Sequence, residues 1–356
     1  MAPVAGALIP PTANAVLERR LRAKIEDRRG GNGSLGELAP LSVRIGLLQN
    51  SEAPSLASAR LVVFAADHGL TVDDIGGPSS RATVTAVHRL MDETNPLVAI
   101  ARAQGIELTV VDSGVAEPLT PHPRLLHRKI AHGTRNARLG GAMTTEQAHA
   151  AMRAGMEIGH SLGGDAVACA GIGSGSAQSA ALVLACLSGA PLADLVDAGP
   201  TLMEPRNHLL RVLEEARKRH GHLDDPVELL AAVGGFEVAM LTGLMLAGAS
   251  RRRLILVDGM PACAALMAAS AIAPALPEYC VCTRSNPTPA LSRALEVVGM
   301  KSAFDLGIDA SDGTGAALAW PLLRCAAALL TPAGNQELKP LEGHERLVPG
   351  RSPSQK

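Results

Sequence analysis

The sequence predicts an α/β protein: a Rossmann-like parallel sheet with helices on both faces, plus a small helical domain made from the N- and C-terminal segments. Three observations predict it. Short apolar runs recur and are uninterrupted rather than alternating, as strands covered on both faces require. Long helical segments separate them, which is the order of a parallel sheet with right-handed crossovers. Every run then delivers Asp, Gly, Ser or Asn at its carboxyl end, the edge where open α/β sheets bind ligands.

In chain order, residues 13–29 have helical spacing and lead into the loop Gly30-Gly31-Asn32-Gly33-Ser34-Leu35-Gly36. Strands are expected at 61–64, ending in Asp67-His68-Gly69, and at 107–111, ending in Asp112-Ser113-Gly114. A third, at 166–169, runs into Gly171-Ile172-Gly173-Ser174-Gly175-Ser176. The last two, 254–257 and 279–282, end in Asp258-Gly259 and Thr283-Arg284-Ser285-Asn286. Helices are expected over 144–162, 176–187, 226–248 and 313–330. Residues 1–40 and 313–330 fall outside the alternation and are assigned to the small helical domain. Residues 41–312 form a large α/β nucleotide-binding domain, and 331–356 read as a polar tail.

Composition narrows the function classes. With 356 residues the chain suits one large or two unequal domains, and 47% hydrophobic against 19% charged residues excludes global disorder. Only three Phe, one Tyr and one Trp are present, so the core is aliphatic and base-stacking platforms are excluded. A net charge of −1 gives no field to hold a polyanion, so no nucleic-acid partner is expected. The six cysteines are scattered, without zinc-ligand spacing, and read as buried thiols of a reducing cytosol. The start of the chain lacks a signal-peptide pattern. The uncharged stretch 260–277, interrupted by Pro261 and Pro274, is too short and weakly apolar to span a bilayer. A cytoplasmic protein without membrane, metal or cofactor is the expectation.

Few residues point to chemistry. Gly171 to Ser176 follows a strand and opens a helix, where glycines admit close approach and free N–H groups favour an anion, typically phosphate. Its spacing is not GxGxxG, and no P-loop Lys follows. Ser311-Asp312-Gly313-Thr314-Gly315 opens a second helix, with Asp suited to an N-cap. His68 reads as a hydrogen-bonded structural residue, Arg251-Arg252-Arg253 as a solvated turn, and Val233-Gly234-Gly235-Phe236-Glu237 as close helix packing. No Gly-x-Ser-x-Gly nucleophile elbow sits at a strand-to-helix turn.

Eight segments in order resemble one family: nicotinate-nucleotide–dimethylbenzimidazole phosphoribosyltransferase of cobalamin biosynthesis. They are Gly33-Ser34-Leu35-Gly36, Ala66-Asp67-His68-Gly69, the stretch Gly105 to Val115, Gly133-Thr134-Arg135-Asn136 with Ala142-Met143-Thr144, Gly171-Ile172-Gly173, Val233 to Glu237, Leu256-Val257-Asp258-Gly259, and Asp305-Leu306-Gly307 with Gly313 to Leu318. The resemblance implies transfer of phosphoribose from nicotinate mononucleotide to a nitrogen of 5,6-dimethylbenzimidazole or a related base, with release of nicotinate. It implies no cofactor, and a homodimer as the assembly. It places Asp312 as the catalytic base. Donor binding falls to Gly171, Gly173, Ser174, Gly175, Ser176, Asp258, Gly259, Ser285, Gly313, Thr314 and Gly315. The acceptor-base pocket falls to Ser80, Thr85, Cys169 and Ala170.

The site segments depart from the family pattern. Its Gly-Glu-Gly-Thr/Ser-Gly reads Ser311 to Gly315, so Asp312 is one methylene shorter than the family's base. A second family Glu is replaced by Cys169. Both glutamines of Pro-Gln-Glu-Val-Thr-Ala-Gln are missing from residues 79–85. A catalytically impaired nucleotide-binding or regulatory paralogue therefore stands beside the enzyme reading. A nicotinamide-dinucleotide oxidoreductase, resting only on Gly171, Gly173 and Gly175, is the weakest alternative.

Overall fold

The computed structural model describes residues 9–31, 33–75, 80–197, 203–283, 288–308 and 310–331. Its elements run α1 (Ala15–Arg29), α2 (Leu38–Leu48), β1 (Ala59–Ala66), α3 (Ser80–Met91), α4 (Pro96–Ala103), β2 (Glu107–Gly114), β3 (Leu125–His127), α5 (Thr145–Ser161), β4 (Ala166–Ile172) and α6 (Ser176–Ser188). They continue through α7 (Met203–His220), α8 (Pro226–Val233), α9 (Phe236–Ser250), β5 (Leu254–Val257), α10 (Met260–Ile272), β6 (Cys280–Cys282), α11 (Pro289–Val297) and α12 (Thr314–Ala328). Among the described residues no helix is long and apolar enough to cross a membrane.

All six strands are parallel, in the order β3-β2-β1-β4-β5-β6. The five strands expected from sequence are present, and the α/β class holds. β3 is an addition: three residues of which only Leu125 is buried, so no apolar run announces this edge strand. The chain leaves β1 toward β2 and β3, then returns to lay β4 on the other side of β1. That reversal is the point where ligands enter such sheets.

The helix expected over 226–248 is two. α8 ends at Gly234 and α9 begins after Gly235, because the backbone runs extended through both glycines, with ψ −171° and 160°. A Cβ on Gly235 would lie 2.2 Å from Glu237 Oε2 and 2.3 Å from His68 Cε1. α9 is buried along Phe236 to Ala249, which its all-round apolar sequence requires, and it covers one sheet face. Its contact with α5 is backbone-close: Cβ atoms on Gly155 and Gly243 would come within 1.9 and 2.0 Å of Met240 O and Met152 O.

α1 meets the end of α12 and the residues just after it. Leu17, Leu21 and Ile25 of α1 form an apolar cluster with Val43 and Leu330, separate from the main core. Arg28 donates to the carbonyls of Ala328 and Thr331 at 2.8 and 2.7 Å. The boundary expected at residue 40 falls inside α2, whose Val43 faces this cluster while Ile45 and Leu48 face the main core.

Candidate active site

At the β1/β4 edge the glycine-rich loop lies against the end of β1. Gly173 has φ 150°, and a Cβ there would sit 1.6 Å from the Ala66 carbonyl oxygen, so only glycine fits. His68 N–H donates to Ser174 O at 3.0 Å. Asp67, which is buried, accepts Thr83 Oγ1–H at 2.6 Å and Ser174 N–H at 3.3 Å on Oδ1, and Ala116 N–H at 2.7 Å on Oδ2. The first-turn N–H groups of α6 at Ala177 and Gln178 have no partner among the described residues, which leaves an anion-seeking helix start.

Under that loop lies a polar cluster that sequence reasoning missed. Glu237 is fully buried; its Oε1 is 2.8 Å from His68 Nε2 and accepts Ser176 Oγ–H at 2.8 Å. Oε2 has no partner among the described residues. His68 is the hydrogen-bonded structural residue expected, but Glu237 does more than pack. One signal for it was available: a lone carboxylate in the apolar run Phe236-Glu237-Val238-Ala239-Met240-Leu241 must find buried partners.

The other corner joins β5 to α12. Asp258 is fully buried and accepts Gly315 N–H at 3.0 Å. Asp312 is half-buried; its Oδ1 accepts Thr314 N–H at 3.1 Å and Thr314 Oγ1–H at 2.6 Å, and its Oδ2 accepts Asn95 Nδ2–H at 3.1 Å. A carboxylate has about four lone-pair sites, so Oδ2 keeps one open. A Cβ on Gly313 would lie 2.8 Å from Leu61 Cδ1 and 3.5 Å from Ala170 Cβ. The segment carrying Asp312 thus packs beside the last residue before the glycine-rich loop.

Gly171 to Ser176, Asp258, Gly259 and Gly313 to Gly315 therefore stand along one carboxyl edge. Ser285 lies outside the described residues. Ser176 faces inward with its hydroxyl on Glu237, and the buried Ser174 gives its main-chain N–H to Asp67. Thr85 is exposed, with its hydroxyl turned back to Arg81 O at 2.9 Å, whereas the buried Thr83 reaches the loop. Ser80 opens α3, one turn before Thr83. Cys169 and Ala170 are both fully buried, and strand alternation sends them to opposite faces, so one pocket cannot take both side chains. Phe64, Phe236, Tyr279 and Trp320 are all buried, which leaves only the partly buried Phe304 near any surface slot. A cleft of about 750 Å³ between α2, α12 and residues 299–303 is lined by Leu38, Leu41, Arg44 and Leu323, and by none of these site residues.

Burial pushes the Cys169 and Cys280 thiols far up, and Cys186 up to about 11. Such thiols stay protonated at neutral pH and are unreactive. Alkylation of the native protein near pH 8 should label the exposed Cys325 and leave Cys169 unmodified, as peptide mass spectrometry will read. Rapid labelling of Cys169 would show that it lines an open pocket.

A family model described as phosphoribosyltransferase matches residues 10–337. The chain belongs to the nicotinate-nucleotide–dimethylbenzimidazole phosphoribosyltransferase family. Enzymes of that name from Variovorax paradoxus and Cupriavidus necator are 35% and 37% identical to it over 318 residues each. Those matches cover 89% and 88% of this chain, and 91% and 92% of the relatives. The crystal structure of the Thermus thermophilus protein of that name superposes with a TM-score of 0.83 at 30% identity, covering 89% of this chain and 96% of the other. The matched residues include both corners described above.

Proposed function

We propose that the protein transfers phosphoribose from nicotinate mononucleotide to a nitrogen of 5,6-dimethylbenzimidazole or a closely related base, giving the α-ribazole phosphate of the cobalamin lower ligand. The observation that carries this is the packing of the Asp312 segment against Ala170, beside the glycine-rich loop. It brings a carboxylate with a lone pair open close to an anion-seeking helix start. In this reading the α6 N–H groups receive the donor phosphate. The acceptor's pyridine-type nitrogen attacks C1′. The bond from C1′ to the pyridinium nitrogen breaks, and its electron pair neutralises the departing nicotinate. Asp312 takes the proton from the acceptor's other ring nitrogen.

The test is incubation of the full-length protein with nicotinate mononucleotide and 5,6-dimethylbenzimidazole, following nicotinate and the riboside phosphate by chromatography. Equal amounts of the two support the reading; no release with any benzimidazole sinks it. A catalytically impaired paralogue is the second reading, favoured by the three hydrogen bonds that already occupy Asp312 and by the buried neutral thiol at Cys169. Binding of the donor without turnover would select it. Supporting a cytoplasmic site of action are the six free thiols, and the family resemblance supports a homodimer. The same resemblance supports a small helical domain from residues 1–40 and 313–330 against a large domain at 41–312.

A further inference from the structure

The hydrogen bonds around Asp67 join three parts of the crevice. Asp67 Oδ1 accepts from Thr83 Oγ1 and from Ser174 N, while Ser174 N–H also donates to Thr83 Oγ1 at 2.9 Å, closing a ring of three contacts. Thr83 belongs to α3, and Ser174 to the glycine-rich loop. Asp67 is itself fixed by its main chain, with its N–H on Gly114 O and its carbonyl accepting Thr134 N–H, both at 3.0 Å. All three members are buried at 5% exposure or less, so water cannot substitute for a broken link.

We infer that Asp67 is a positioning residue that couples donor and acceptor binding. This rests on the activity proposed above. The loop receives the donor phosphate, and α3 carries the acceptor segment, with Ser80 one turn before Thr83 and so on the same helix face. A donor that orders the loop also orders α3 through Thr83, and the acceptor then meets a helix start already in place. By linkage the acceptor must tighten donor binding by the same factor. Asp67 touches neither reacting atom; it acts through Thr83 and Ser174.

Nicotinate release measured over a matrix of nicotinate mononucleotide and 5,6-dimethylbenzimidazole concentrations gives the factor by which one substrate tightens the other. For the wild-type protein a factor of roughly 5 to 150 is expected. Thr83→Val keeps the shape but removes the hydroxyl, and should bring the factor to within about twofold of one while the donor still binds alone. Thr83→Ser, which restores the hydroxyl, should restore the factor; a merely structural role predicts no such split between coupling and single-substrate affinity. Should Thr83→Val not fold, Thr83→Ala carries the same expectation. Wild-type release with a factor of one, or an unchanged factor in Thr83→Val, overturns the coupling and leaves the activity standing. No release from the wild-type protein overturns the activity, and the coupling with it.

Discussion

Replacing Asp312 with Asn is expected to lower kcat by about 10²- to 10⁴-fold, the usual contribution of a positioned general base, while the Michaelis constant for nicotinate mononucleotide stays within about twofold. The substitution is nearly silent structurally. An Asn carbonyl can still accept from Thr314 N–H and Oγ1–H, so the turn before α12 keeps its hydrogen bonds. Its amide would face the Nδ2 group of Asn95, and Asn95 cannot rotate to compensate because its Oδ1 caps α4 through Leu97 N–H at 2.8 Å. One hydrogen bond is lost, worth about 1 kcal/mol. A loss of rate far beyond that of stability therefore reports chemistry rather than folding. Asp312→Glu is the companion variant: it lengthens the side chain to the family's reach and should retain or raise turnover. Steady-state rates and urea unfolding of the two variants, side by side, make the comparison. An Asp312→Asn protein with unchanged kcat would remove Asp312 from the proton transfer.

The parts legible in the sequence share a physical cause. Parallel strands buried on both faces must be continuously apolar, so β1, β2, β4, β5 and β6 announced themselves, and the residues at their carboxyl ends came with them. β3 escaped because an edge strand of three residues, two of them exposed, needs no apolar run. At the candidate site, Asp258 and the loop glycines stood out by their position after strands, and Asp312 only through the family resemblance. Their partners did not, since those depend on contacts remote in sequence: His68 meets Glu237 across 169 residues, and Asp67 meets Ser174 across 107. The orientation of the Ser176 hydroxyl had the same blind spot. The buried Glu237 carboxylate needs a donor, and it turns the Ser176 hydroxyl inward.

Gly173→Ala should have the largest effect on stability, because two independent penalties fall on one methyl group. The residue sits at φ 150°, where an L side chain is strained by about 1–3 kcal/mol. The added Cβ would also stand 1.6 Å from Ala66 O, and that carbonyl cannot retreat: Ala66 ends the central strand β1, paired to β2 on one side and held next to β4 on the other. The loop must move instead, which breaks the His68 N–H bond to Ser174 O and the Ser174 N–H bonds to Asp67 and Thr83. Two or more buried hydrogen bonds at about 1 kcal/mol each, added to the strain, bring the expected loss to about 3–5 kcal/mol. Urea unfolding should show a lower midpoint with an unchanged slope, and donor affinity should fall because the α6 N–H groups leave their aim. Gly140→Ala is the control. A Cβ at that position meets nothing within 4 Å, and the change should stay within about 0.5 kcal/mol. If Gly173→Ala proves as stable as Gly140→Ala, the loop does not press on β1, and the phosphate cradle must be sought at the start of α12 rather than α6.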